Sequence, residues 1–153
     1  MKILKVIIWI IGAIFIIIQF IPVSYPEVIE ENKNDLIKNN IISEDIALIL
    51  RTSCYDCHSN ETHYPWYSYI APAKWLVIRD IKLGRDALNL SEWQDLKPRD
   101  KIKLLSNMSE EVEDGNMPMP VYTLIHRNAS LNDDQKKLLI DWTEEMMNDI
   151  FGE

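Results

Sequence analysis

The chain has little cysteine and little glycine, and beyond residue 26 it has no long alternation of apolar and polar residues. Its 153 residues include two cysteines and four glycines. Two cysteines are too few for the disulfide framework that holds many small secreted domains together. Because strand-like alternation is missing and several segments show the apolar spacing of helices, the sequence predicts an all-α fold.

The chain also lacks a cluster of basic residues. The net charge is −8, and because Lys2 and Lys5 precede residue 27, the remainder carries 24 acidic against 14 basic residues, a net charge of −10. Proteins that bind phosphate backbones do so with clustered cations. The charge therefore argues against nucleic acid as a partner, and it fits a domain that meets basic surfaces.

Charge of either sign is missing from residues 6–26, which follow a short lead that contains Lys2 and Lys5. Such an apolar run is either a secretory signal peptide or an uncleaved anchor. Small residues in an A-x-A pattern are missing before Tyr25, so the sequence favours a single membrane anchor over residues 1–26. The positive-inside tendency keeps Lys2 and Lys5 in the cytoplasm. It thus predicts an inner-membrane protein with its C-terminal domain in the periplasm.

The remainder of the chain divides near residue 43. Residues 27–42 are charged and rich in asparagine, which predicts a linker. Residues 43–153 then form the folded domain, and its first helix starts near Ser43 and runs into Cys54. The further predicted helices are residues 73–88, one capped by Ser91, one from Pro98 to about residue 112, and one that follows Asn132.

Both cysteines stand in one short motif, Cys54-Tyr55-Asp56-Cys57-His58. A C-x-x-C-H run is the attachment signature of c-type haem. Two thiols one helical turn apart can each form a thioether to neighbouring edges of the porphyrin, and the next residue then aims its imidazole at the iron. The motif predicts one covalent haem c per chain, with Cys54 and Cys57 as tethers and His58 as the proximal ligand.

Other chemistries compete for these residues. A zinc site made of Cys54, Cys57, His58 and His63 would crowd four ligands into ten residues, and adjacent Cys57 and His58 would fit one tetrahedral ion poorly. A thioredoxin-like pair would open a helix after a strand in a βαβ unit, and no such alternation exists here. A structural disulfide would leave His58 without a role.

A second ligand for the iron is expected from the segment Asn116-Met117-Pro118-Met119-Pro120. Two prolines hold the loop extended, and a thioether binds iron well when the backbone fixes it. Met117 is 59 residues beyond His58, which is enough chain to reach the opposite face of a haem. Met117 is the favoured sixth ligand, and the alternatives are Met119, His126 and, least favoured, His63. Ordinary core packing is the other role open to these methionines.

Aromatic residues follow the motif, between two prolines. Flat rings can pack on the edge of a porphyrin while their polar tips reach the propionates or solvent. Tyr64, Trp66 and Tyr67 are therefore candidate haem contacts, although a cluster of this density also suits an ordinary core. Arg79 or Arg85 can pair with a propionate, or can lie on a solvated helix face.

A set of short motifs lies along the domain: Cys54-Tyr-Asp-Cys-His-Ser59, Tyr64-Pro-Trp-Tyr67, Ile70-Ala-Pro72, Gly84-Arg85, Asn89-Leu-Ser-Glu-Trp93, Asn116-Met-Pro118, Tyr122 and His126. Together these motifs resemble the membrane-anchored haem-binding domain family of Bacteroidetes-type bacteria. The resemblance covers residues 43–145 approximately and implies a cytochrome c-like helical domain wrapped around a covalent haem. It also implies that the methionine of a Met-Pro motif, here Met117, takes part in the site.

Two classes of function fit this site. A periplasmic monohaem cytochrome with histidine and methionine ligands would carry one electron between redox partner proteins of the membrane and periplasm. A haem enzyme such as a peroxidase, or a gas sensor, would instead need an open or labile distal position, with His63 or His126 recruited for acid–base work. An accessory role in a membrane redox complex, with haem as a folding element, is a third. The electron carrier is the favoured function.

Overall fold

The computed structural model describes residues 2–152, and all regular structure within that range is helical. The all-α prediction is thus confirmed. Short 3-10 helices connect the α-helices at Trp66–Tyr69, Leu90–Asp95 and Arg127–Ala129. The α-helices are α1 (Lys2–Gln19), α2 (Leu36–Asn39), α3 (Glu44–Ser53), α4 (Tyr55–His58), α5 (Ala73–Ala87), α6 (Pro98–Glu113), α7 (Pro120–Ile125) and α8 (Asp133–Gly152).

Helix α1 stands apart from the core, and none of its residues is buried. By length and composition it can cross a membrane. A secretory signal satisfies the same criteria, so the helix by itself identifies a membrane anchor or a signal sequence.

The core of the domain lies where α3, α6 and α8 meet. Leu50 of α3, Leu105 of α6 and Leu139 of α8 are almost completely buried there. Helix α8 packs along α6 and also touches α3. Trp93, from the 3-10 helix at Leu90–Asp95, is fully buried in the same cluster. This packing leaves the C-terminal end of α3, where the cysteine motif begins, at the edge of the core.

The helix starts follow the capping chemistry that the sequence indicates. The Ser43 hydroxyl accepts a hydrogen bond from the backbone N–H of Ile46 (3.4 Å), and Pro98 occupies the first turn of α6. Ahead of α8, Asn132 and Gln135 form a reciprocal pair in which each side-chain oxygen accepts from the other's backbone N–H, at 2.8 and 3.0 Å. Local side-chain chemistry therefore sets where these helices begin.

The segment predicted as a linker differs from that prediction between residues 34 and 39. Asp35 and Leu36 are fully buried. A carboxylate oxygen of Asp35 accepts hydrogen bonds from the N–H groups of Ile37 (3.0 Å) and Lys38 (3.1 Å), which starts α2. The same carboxylate accepts a bond from the hydroxyl of Tyr55 at 3.1 Å. Residues 34–39 are thus part of the folded domain, because their one acid and one leucine find buried partners.

The helix cap near residue 91 also differs from the prediction. Asn89 is the cap of the 3-10 helix at Leu90–Asp95, and its side-chain oxygen accepts from the N–H of Ser91 (3.1 Å). Ser91 itself is buried, and its hydroxyl accepts from the N–H of Asn60 (3.0 Å). The serine therefore ties this segment to the loop after α4 instead of starting a helix.

Replacing Asp35 by alanine should destabilise the domain, because it removes the cap of α2 and leaves the buried Tyr55 hydroxyl without its acceptor. We expect a loss of about 1–3 kcal/mol in the free energy of unfolding. Urea unfolding of the full chain in detergent, followed by circular dichroism, measures this. Asp86→Ala, at an exposed position of α5, is the control and should change stability by less than about 0.5 kcal/mol. Equal effects from the two variants would contradict the assignment of Asp35 to the core.

Candidate functional site

Helix α3 ends at the cysteine motif, and α4 carries the rest of it. Cys54 is both the last cap of α3 and the first cap of α4. The N–H groups of Cys57 and His58 bond to the carbonyl of Cys54 at 3.2 and 2.8 Å, which closes a single helical turn. Tyr55 points into the core and is 3 % exposed. The turn therefore places both thiols and the imidazole at the edge of the core, beside open space.

The imidazole of His58 is held by a backbone carbonyl. Its Nδ1 lies 3.1 Å from the carbonyl oxygen of Leu88, just beyond α5. A proton on Nδ1 makes this a hydrogen bond and leaves the lone pair on Nε2 free, which is the usual arrangement of a histidine that binds a metal. Burial lowers the pKa of His58 against the opposing effect of hydrogen bonds to backbone carbonyls, so the ring is neutral at pH 7.

Helix α5 approaches the motif at a glycine. A Cβ atom added to Gly84 would lie 2.6 Å from the carbonyl oxygen of Cys57 and 3.2 Å from its Cβ. Real Cβ atoms do not come this close, so only glycine lets α5 and α4 pack at this distance. The close packing brings the Leu88 carbonyl, one helical turn further on, within reach of His58.

Two cavities lie against the motif, with volumes of about 440 and about 290 Å³. Both volumes are of the size of small-molecule and cofactor sites. His58 and Met117 line both cavities; Cys54 lines the larger one and Cys57 the smaller. The remaining shared lining comes from Ser53, Ala87 and Pro118. The structure therefore brings both predicted tethers and both favoured iron ligands to two mostly apolar cavities that share part of their lining.

The loop that carries Met117 is fixed at both ends. Gly115, with φ of 74°, ends α6, and the N–H groups of Asn116 and Met117 both bond to the carbonyl of Glu111 at 3.0 Å. On the other side of the loop, the Tyr122 hydroxyl of α7 donates to the Asp56 carboxylate at 2.8 Å. The hydrogen bonds of Asn116 and Met117 to Glu111, together with the bond of Tyr122 to Asp56, thereby hold Met117 close to the cysteine motif.

The alternative iron ligands lie elsewhere or are engaged. Met119 lines the smaller cavity but not the larger one. The Nε2 of His126 lies 2.7 Å from the Tyr67 hydroxyl, and its ring stacks on Tyr122. The His63 side chain is 91 % exposed and pairs with Asp56. Neither histidine lines the two cavities at His58.

The three aromatic candidates do not line these two cavities. Tyr64 donates its hydroxyl to the carbonyl of Pro26 (2.9 Å), and Trp66 is 76 % exposed. Tyr67 lines a third cavity of about 370 Å³, which Cys57 also lines. The role of these rings as haem contacts stays a prediction.

Both cysteine thiols are half-buried, and their pKa values are raised. Burial, together with neighbouring negative charges, raises the pKa of Cys54 to about 12 and that of Cys57 to about 11. Reactive redox cysteines have a lowered pKa instead. Both are free, and residues 2–152 contain no group of three or more His, Cys, Asp or Glu side chains placed to hold a metal ion. The raised pKa values differ from those of a redox dithiol.

The donor set fits a haem: a neutral imidazole with a free Nε2, a thioether that lines the same cavities, two adjacent thiols and apolar walls. Comparison with known families agrees. The model of the family described as haem-binding domain matches residues 13–145. The chain belongs to the haem-binding domain family. The expected haem cofactor is therefore supported at the level of the family.

A curated relative gives a second comparison. The chain is 25 % identical over 119 residues to the cytochrome c peroxidase Ccp of Escherichia coli (strain K12). The match covers 74 % of this chain and 26 % of that protein, so the chain spans about a quarter of the relative's length. No solved structure matches the chain significantly.

Three contributors to the site were not assigned a role by sequence reasoning. The Leu88 carbonyl is a backbone group, and no pattern of side chains predicts its contact with His58. Gly84 stands inside a helix, where an isolated glycine is a signal of close packing but does not name its partner. The bond between Tyr122 and Asp56 links residues 66 positions apart, and spacing alone does not reveal it.

Replacing Gly84 by alanine should push α5 away from the motif. Overpacking costs about 1–3 kcal/mol, which exceeds the gain of about 1 kcal/mol in helix propensity. We expect a lower unfolding temperature and a weaker hold on His58, measured by thermal unfolding. Gly12→Ala in α1, where nothing lies within 4 Å of the added Cβ, is the control. A Gly84 variant as stable as this control would show that the close approach is not required.

Proposed function

We propose that the chain is a membrane-anchored c-type cytochrome that carries one electron. One haem per chain would be attached through Cys54 and Cys57, with His58 and Met117 as axial ligands. The observation that carries the proposal is that His58, whose Nε2 is left free by the bond at Leu88, shares two cavities with Met117. Family membership supports the haem; covalent attachment is supported by the motif.

A bound haem supplies a one-electron couple between ferric and ferrous iron. The residues of the chain hold the ligands still through that change. The Leu88 carbonyl fixes the ring of His58, and the Glu111 carbonyl fixes the backbone at Met117. Rigid ligands lower the reorganisation that each electron transfer requires. If both His58 and Met117 held the iron, the site would leave no position for substrate, which favours a carrier over an enzyme.

A haem enzyme or gas sensor is the second candidate, and the similarity to a protein named cytochrome c peroxidase favours it. Peroxide chemistry uses an acid–base group close to the reacting oxygen. His126 is bonded to Tyr67, and His63 faces solvent. Because neither lines the cavities at His58, the enzyme remains the weaker proposal. A purely accessory role in a membrane complex has no observation of its own in its favour.

Retention of α1 as an anchor is supported by contacts that a signal peptide would not need. Lys74 of α5 is buried, and its Nζ donates to the carbonyls of Gln19 and Ile21, both at 3.0 Å. Cleavage near residue 25 would remove both acceptors, at a cost of about 1–3 kcal/mol for a buried polar group. An anchor with Lys2 and Lys5 in the cytoplasm would hold the domain in the periplasm, near membrane and periplasmic redox partners.

Replacing Met117 by alanine should make the ferric haem high-spin and let it bind cyanide or carbon monoxide readily, because the thioether is lost. Optical spectra of the purified full chain, ferric and ferrous, measure this. The wild type should show the weak red band of a methionine–iron bond.

Met119→Ala is the matched control for this experiment, since Met119 lies in the same loop and lines only the smaller of the two cavities. Its spectrum should equal that of the wild type. An unchanged spectrum for Met117→Ala would move the ligand to Met119 or His126. A high-spin wild type would favour the enzyme or sensor.

The mature protein should begin at or near Met1. Intact mass spectrometry of protein made in a host that attaches haem should give the full chain plus one haem. A mature N-terminus near residue 25 would show that α1 is a cleaved signal. A mass without haem, with two free thiols, would refute covalent attachment while leaving the anchor in place.

A further inference from the structure

The end of α1 is joined to the domain by a defined set of polar contacts. The Gln19 side chain forms a reciprocal pair with Ala71: its Oε1 accepts from the N–H of Ala71 (2.8 Å), and its Nε2 donates to the carbonyl of Ala71 (3.2 Å). The Nζ of Lys74 donates to the carbonyl of Gln19, the last residue of α1, and to that of Ile21 just beyond it. Tyr25 adds a bond from its hydroxyl to the carbonyl of Ser68 at 2.8 Å. We call these contacts the anchor joint.

Apart from Lys74, the domain residues of the anchor joint lie within a segment that has no charged side chain. Residues 64–73 are uncharged, and so are residues 116–125, which include α7. The two segments lie together, since Tyr67 bonds to His126 and side chains from both segments line the third cavity. We call their outward surface the uncharged face. It exposes six large apolar or aromatic side chains: Trp66 (76 %), Tyr69 (60 %), Ile70 (38 %), Val121 (63 %), Leu124 (77 %) and Ile125 (63 %).

The charge of the domain says what this face can meet. Residues 27–153 carry a net charge of −10. An anionic lipid surface therefore repels most of the domain, and a neutral lipid surface does not attract it. Within residues 64–73 and 116–125 the domain brings no acidic side chain to lipid. Asp56 and Asp80 line the third cavity with Val121 and Ile125, and only 28 % and 18 % of their side chains are exposed. Tryptophan and tyrosine are also the residues that favour the boundary between lipid and water. Large exposed apolar patches on a protein surface mark a site of interaction.

We propose that the uncharged face lies on the membrane that α1 spans, and that the anchor joint holds it there. This inference rests on the anchor of the proposed function. The lipid boundary is favoured over a second protein because the face continues from the end of the membrane helix. Ala71 and Lys74, which bind that end, stand directly beside the exposed residues of the face. The domain is then held in one orientation, with the cysteine motif at a fixed height above the bilayer.

The test uses the full chain, loaded with haem, in phosphatidylcholine vesicles that contain a phospholipid with a photoactivatable diazirine near its headgroup. After illumination, mass spectrometry maps the labelled residues. We expect label on Trp66, Leu124 and Ile125, as well as on α1. Leu48 of α3, which is 61 % exposed, is the matched control for an exposed apolar residue away from the joint and should stay at background.

A variant of the joint separates orientation from anchoring. Lys74→Met should keep the haem spectrum and the membrane association of the wild type, while label on the uncharged face falls to the level of Leu48. Should this variant fail to fold, Gln19→Leu removes the pair with Ala71 and has the same expected result. Either variant with an unchanged labelling pattern would overturn the role of the anchor joint.

Other outcomes overturn the proposal in distinguishable ways. Label confined to residues 2–26, or equal label on Leu48 and Ile125, would show that the face does not lie on lipid. A lack of lipid label on Trp66, Leu124 and Ile125 in vesicles with many chains, restored when the chains are diluted in lipid, would assign the face to a second copy. The haem spectrum and the intact mass of the same sample report separately on haem attachment and on retention of α1, so a failure of the proposed function is recognised as such.

Discussion

The hydrogen bond between His58 and the Leu88 carbonyl is the contact on which the site depends. It requires α5 to lie against α4, and α5 reaches that position because Gly84 leaves room for the Cys57 carbonyl. Without this acceptor the proton of the neutral ring could lie on either nitrogen, and the lone pair would not be fixed toward the cavity. Because Gly84 has no side chain, α5 lies close enough to α4 for the Leu88 carbonyl to orient the imidazole of His58.

The opposite wall of the site is built differently. Met117 stands on a loop without a helix of its own, and its position comes from backbone bonds to Glu111 and from the Tyr122 hydroxyl on Asp56. Asp56 is one of the two residues between Cys54 and Cys57, so the methionine loop is fastened to the same turn that carries the histidine. His58 and Met117 therefore move together if that turn moves.

The short helices α2 and α7 were not predicted. Local patterns in the sequence predicted helices α3, α5, α6 and α8, the caps at Ser43 and Asn132, and the grouping of Cys54, Cys57 and His58 in one motif. These rest on spacing within a few residues, where geometry follows directly from helical periodicity. The linker prediction was wrong for Asp35 and Leu36, because burial of a single acid depends on a tyrosine 20 residues away. Tyr64 and Trp66 are predicted haem contacts, but an aromatic ring suits a porphyrin edge and a protein surface equally well, so the sequence alone does not place it. Tyr64 bonds to the carbonyl of Pro26, 38 residues earlier, and no local pattern reveals that contact.

The bond from Tyr55 to Asp35 gives the lead-in segment a consequence for protein engineering. Tyr55 stands between the two cysteines, and its hydroxyl is buried against a carboxylate that precedes the first long helix of the domain. A soluble fragment cut at residue 43 would lack Asp35, the hydrogen-bond partner of Tyr55, and would expose the part of the core that α2 covers. The smallest autonomous version of this fold accordingly begins upstream of Asn34, whose carbonyl binds the N–H of Gln94.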